Sequence, residues 1–205
     1  MNQAARSLGS AAVMVLVSSI PARAQARPFH GFVLLGGGTG VANIQCVGNG
    51  CASGWKLHGP TLLVSAGIML NPHVGVGVGL DVWWRTPLDT EATNTGTLFL
   101  HYYPSVRAGA FLEAGAGLSR ASVQLPGDTV AQGRSWALMM AVGYDVRLLT
   151  KNGADITLTP RLSYASSSIR EMRYAAGHPP FATAWRHQVL ALGLAVGFVG
   201  PRARP

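Results

Sequence analysis

The stretch "HVGVGVGLDVWWR", residues 73–85, alternates small or polar residues with apolar ones without a break. Val74, Val76, Val78, Leu80, Val82 and Trp84 share one face, and His73, Gly75, Gly77, Gly79, Asp81, Trp83 and Arg85 share the other. A repeat of two belongs to a β-strand, whose successive side chains point to opposite sides. Two environments accept such a strand. In a water-soluble sheet the apolar side covers a core and the polar side meets water. In a membrane-spanning barrel the apolar side meets lipid and the other side closes around a lumen.

The same rhythm returns along the chain. "GPTLLVSAGIML" (59–70), "TGTLFLHYYP" (95–104), "GAFLEAGAGLS" (109–119), "WALMMAVGYDVRLL" (136–149), "ADITLTPRLSYAS" (154–166) and "HQVLALGLAVGF" (187–198) each read as one strand. Their apolar faces carry Leu62, Val64, Leu98, Leu100, Leu112, Leu118, Leu138, Met140, Leu162, Leu192 and Leu194, among others. An eighth segment, around residues 29–42, is too rich in glycine for its faces to be assigned.

The connections alternate in length. Short links fall at 71–73, 104–108 and 150–153, and long ones at about 43–58, 86–94, 120–133 and 167–185. Tight turns on one side and longer loops on the other are the habit of bacterial outer-membrane barrels, whose even strand number leaves both termini in the periplasm. Only 12% of residues are charged, against ~25% in a typical soluble domain. Eight strands enclose a narrow interior that side chains can fill, and glycines with a few compact polar groups suit it. The expected fold is therefore all-β, an eight-stranded antiparallel up-and-down transmembrane β-barrel with its apolar face towards lipid. Trp84, Trp136, Tyr102, Tyr144 and Tyr164 lie towards strand ends on that face, as an aromatic girdle requires.

The first residues fit export. Arg6 precedes the apolar run "AAVMVLVSSI" (11–20), followed by Pro21 and the small-x-small triplet "ARA" (22–24), the order of a secretory signal peptide. The expected organisation is a signal peptide over 1–24 and one barrel domain over 25–205. The full chain has sixteen basic and eight acidic residues, and losing Arg6 and Arg23 leaves fourteen against eight, a charge of +6. The basic residues are scattered singly, so nucleic acid is not an expected partner. Arg120, Arg134, Arg170, Arg173 and Arg186 fall towards the outer side, where anionic lipid headgroups are the expected contact. Cys46 and Cys51, in "CVGNGC", are spaced to close a small loop, and export favours a disulfide over a metal site, which needs further ligands.

Near the end, "GLAVGF" (193–198) resembles the outer-membrane assembly signal, with Gly193, Val196 and Phe198 in its fixed positions. It departs from it at Ala191, where a polar residue is usual, and in running on through "VGPRARP" (199–205). With "HYYP" (101–104), "GYDVRL" (143–148) and "ITLTPRLSY" (156–164), the chain resembles the small outer-membrane β-barrel proteins, the OmpA/OmpX-like and opacity-protein superfamily. The resemblance implies a place in the bacterial outer membrane, with its lipid, lipopolysaccharide and assembly machinery as partners. The extracellular ligand stays open.

No catalytic signature emerges. "LGGGTGVAN" (35–43) and "GVGVGL" (75–80) lack the helix that a phosphate-binding glycine loop must open onto. None of the six histidines has serine two positions on, the spacing that would put both on one side of a strand as in the deacylase type. No catalytic residue, cofactor or metal is expected. The inward polar residues Asp81, His101, Glu113, Asp145, Arg147 and Arg161 read as a lumen network, because unpaired charges in so narrow a space are costly. Arg161 is expected to bridge Glu113 or Asp145. The reading is of a non-enzymatic barrel that serves envelope structure or surface interaction through its outer loops, 167–185 above all. The alternatives are a barrel-embedded lipid A-modifying enzyme of the deacylase or acyltransferase type, and a narrow pore.

Overall fold

The computed structural model describes residues 30–45, 55–85, 91–105, 108–125, 129–152, 154–174 and 181–200. Its strands are β1 (His30–Gln45), β2 (Trp55–Met69), β3 (Val74–Arg85), β4 (Glu91–Tyr102), β5 (Ala110–Leu125), β6 (Thr129–Tyr144), β7 (Val146–Lys151), β8 (Ala154–Tyr174) and β9 (Phe181–Val199). Residues 1–24, read as a signal peptide, and Cys46 and Cys51, read as a disulfide pair, lie outside the described residues.

Strands β1 to β6 pair antiparallel in chain order, β6 pairs with β8, β8 with β9, and β9 with β1, so the sheet closes on itself. Strand β7 continues β6 past Asp145: the Val146–Leu158 pair keeps the register of Gly143–Arg161. The sixth strand expected from sequence is thus one stave in two pieces, and the barrel has eight staves. Its stagger follows from the registers. A walk from Thr93 through Trp83, Thr61, Gly38, Gly193, Arg161, Gly143 and Phe111 returns to β4 one step beyond the Tyr102–Leu112 pair. That is ten residues along β4, a shear of 10, which tilts the strands by roughly 40°.

Lipid and lumen faces fall where the alternation put them. Val78, Leu80, Leu98, Leu118, Leu138 and Leu192 point outward and are 44–67% exposed. Such a surface is tolerable only in hydrocarbon. The glycine-rich β1 joins the pattern, with Val33 and Leu35 outside and Phe32, Leu34, Ala42 and Ile44 inside. From Tyr102, Leu112 and Phe198 up to Leu118, Trp136 and Leu190 the outer belt is about nine residues tall, or roughly 23 Å at a 3.3 Å rise and this tilt.

Two expectations are corrected. The long links are shorter than sequence suggests, because β5, β6, β8 and β9 run on as paired strands to Leu125–Thr129 and Met172–Phe181. Above the lipid the outward positions no longer need to be apolar, so alternation fades while the backbone ladder continues. The lumen is also less polar than glycines and compact ions would make it. Phe32, Phe99 and Phe111 fill its periplasmic end, each directly opposite a glycine: Gly67, Gly77 and Gly143. A Cβ on any of these glycines would lie 2.3–2.6 Å from the facing ring. Trp83, Ala42, Ile44 and Val189 close the other end, beside a second cluster of Val123, Ile169 and Met172, with Trp185 against both.

Candidate functional site

Between these apolar layers the inward positions are polar. Arg161 on β8 stands opposite Gly143 and Gly193, small neighbours that leave its long side chain room to cross the lumen. Its Nε and Nη2 each lie 3.0 Å from Glu113 Oε2 on β5, and its Nη1 lies 3.1 Å from Asp81 Oδ1 on β3. Glu113 Oε1 meets His101 Nδ1 on β4 at 2.9 Å. The His101 ring stacks on Phe111, with centroids 4.4 Å apart. Four strands are tied together by one guanidinium and two carboxylates, all but Asp81 fully buried.

The other two residues of the sequence-read network stand apart. Asp145 accepts hydrogen bonds from Tyr103 Oη at 2.5 Å and Thr159 Oγ1 at 2.6 Å, and does not meet Arg161. Arg147 is not in the lumen. It sits on β7, below the level at which the barrel closes, with its side chain 58% exposed and its Nε 3.2 Å from Asp155.

Sequence reasoning missed three features. Thr93 Oγ1 on β4 and His187 Nε2 on β9 meet at 2.9 Å inside the barrel, with Trp83 edge-on to the imidazole. Inward parity alone placed His187 there, but nothing in the chain pairs it with Thr93. A cavity between the charged network and Trp83 is lined by Asp81, Arg161, Thr93, Thr95 and Ser163. On the outer face, Asn43 donates to Gln188 at 3.0 Å, and Gln188 donates to the Tyr164 hydroxyl at 2.8 Å. The Trp55 ring lies 6.4 Å from that of Tyr164. Among the described residues no cluster of His, Cys, Asp and Glu could hold a metal ion.

Comparison with solved structures finds the neisserial surface protein NspA at 17% identity and a TM-score of 0.50, covering 81% of this chain and 96% of that one. It also finds Ail, the attachment invasion locus protein of Yersinia pestis, at 12% identity and a TM-score of 0.53, covering 82% and 98%. A second Ail structure is a complex with the heparin analogue sucrose octasulfate. The chain has the fold of the small outer-membrane β-barrel proteins. No protein-family model and no curated protein sequence matches it. Its exterior agrees with the fold: the belt of exposed leucines and valines, edged by Trp136 and Tyr102, belongs in the outer membrane.

Proposed function

We propose that this outer-membrane barrel is non-enzymatic and works through the part of its wall that rises above the lipid. The observation that carries this reading is the extension of β5, β6, β8 and β9. These four strands stay paired past Leu118 and Trp136, with Val123, Ala131, Ile169 and Met172 packed on their inner side. Their outer side presents Arg120, Arg134, Ser168, Arg170 and Arg173 to solvent. A rigid sheet with a packed back and a polar front is suited to contact with envelope or external molecules.

The lumen supports neither alternative. The Thr93–His187 pair has the elements of a hydroxyl nucleophile and base, yet both side chains are buried and point inward, away from any lipid substrate. Conduction would have to pass the phenylalanine layer, the Arg161 network and the Trp83 layer in series. The Ail complex with a heparin analogue is in keeping with a barrel of this fold that carries a surface ligand.

The test compares cells lacking the protein with cells complemented by the full chain or by a variant whose β8–β9 tip, residues 170–184, is cut to a short turn. Full-length protein is expected to restore resistance to detergents and hydrophobic antibiotics, while the tip-less barrel, still folded on a gel, does not. A lipid A acylation pattern that changes with the protein, read by mass spectrometry, overturns the non-enzymatic reading.

A further inference from the structure

Arg120 on β5 and Arg134 on β6 are directly opposite each other across the strand pair, and both side chains are exposed on the outer face. Like charges at directly facing positions oppose strand pairing. The only hydrogen bond found for either guanidinium among the described residues joins Arg120 Nη2 to Gln132 Oε1. The next strands continue the row. Arg170 on β8 and Arg186 on β9 also face outward and are exposed, and Arg186 pairs with Ser168. Arg173 stands one step higher and is held by Glu171 at 2.8 Å.

Height decides what these arginines meet. The outward residues two positions below Arg120 and Arg134 are Leu118, 61% exposed, and Trp136, 77% exposed, which are themselves directly paired. Leucine and indole so exposed mark the upper boundary of hydrocarbon, with tryptophan at headgroup level. Corrected for the shear of 10, Arg134, Arg170 and Arg186 lie within about two residues of one another in height, just above that boundary. Strands β3 and β4 carry no such outward charge. On the opposite wall the outward positions at this height on β3 and β4 are Trp84, Ala92 and Asn94.

We propose that Arg120, Arg134, Arg170 and Arg186 form a phosphate-binding row that seats the phosphorylated headgroup of an outer-leaflet glycolipid against one wall of the barrel. This deepens the reading of an outer-surface function and rests on it for the orientation of the barrel. Guanidinium groups suit the task because their planar donors bind phosphate oxygens in pairs. A phosphate between Arg120 and Arg134 turns a repulsive cross-strand pair into a shared clamp. The lipid is the chosen source, rather than a soluble polyanion, because the row sits directly on the acyl-chain belt. One ligand can then place its tails on Leu118 and Leu138 and its phosphates on the arginines.

The test uses the full-length barrel in nanodiscs of zwitterionic phospholipid, titrated with bis-phosphorylated lipid A, with dephosphorylated lipid A and with soluble sucrose octasulfate. Wild type is expected to bind the phosphorylated lipid at least tenfold more tightly than the dephosphorylated form. Arg120→Gln/Arg134→Gln is expected to lose most of that difference, while Arg147→Gln/Lys151→Gln at the periplasmic end keeps it. Without lipid A, Arg134→Gln is expected to unfold at the same temperature as wild type or a higher one, since it relieves a like-charge contact. Equal affinity for both lipid A forms, or no loss in the double variant, overturns the proposal. So does binding of sucrose octasulfate as tight as that of lipid A, which would point to a soluble polyanion. None of these readouts depends on the antibiotic-resistance phenotype, so the row can fail while the broader function stands.

Discussion

Arg161 and Asp81 meet at 3.1 Å although their strands, β8 and β3, stand four steps apart whichever way the barrel is walked. The ion pair therefore spans the diameter of the lumen, and Glu113, two strands from Arg161, joins it from the side. Removing the guanidinium alone would leave two carboxylates buried with no cation of fixed charge beside them. Breaking a buried pair from one side costs about 3–5 kcal/mol. Arg161→Met is expected to destabilise the barrel by that order in urea unfolding from lipid vesicles. Arg161→Met with Glu113→Gln and Asp81→Asn is expected to recover most of the loss, because no uncompensated charge remains.

A smaller side chain at the same position tests closure. Arg161→Ala opens space at mid-height, but Phe32, Phe99 and Phe111 below and Trp83 and Val189 above stay in place. Planar-bilayer recordings are expected to show no steady conductance in either wild type or variant. Ion flow that appears only in the variant would mean that the network is a gate and the apolar layers are not seals.

Packing at the periplasmic end gives a size-dependent prediction. Gly143 faces the Phe111 ring so closely that an added Cβ would stand 2.3 Å from it and 2.9 Å from the Pro160 carbonyl oxygen. Overpacking of this kind costs about 1–3 kcal/mol. Gly143→Val is expected to lower stability by at least that much, and Phe111→Ala in the same chain to recover part of the loss. Additive losses in the double variant would show that ring and glycine do not share the space.

Much of this architecture is legible in the sequence, and the boundary of legibility has a physical cause. Faces of the seven assigned strands follow from alternation, since Leu98 against Thr97 or Leu162 against Arg161 can be sorted by what lipid accepts. Strand ends cannot be sorted so once the wall leaves the membrane: Ser122, Gln132 and Ser168 are polar on the outside, and only the buried Val123, Ala131 and Ile169 betray the continuing strand. Contacts across the lumen are hidden for another reason. The pairing of Arg161 with Asp81, or of Thr93 with His187, depends on the shear, a property of all eight registers together. Parity puts Arg147 inside, but parity says nothing of height, and the residue lies below the closed ring.

Two expectations about the exported chain carry their own chemistry. Processing after Ala24 leaves Gln25 as the first residue, and mass spectrometry of protein from outer membranes is expected to find that terminus. Passage through an oxidising compartment is expected to join Cys46 to Cys51, so that the denatured, unreduced protein takes no thiol-alkylating reagent and gains two labels after reduction. The loop so closed is short, and the chain-entropy gain from so small a ring is about 2 kcal/mol. The Cys46→Ser/Cys51→Ser variant is therefore expected to assemble and to show the same difference in gel mobility between heated and unheated samples. Loss of that difference would mean that the loop is needed for the barrel to close, not only to trim its outer end.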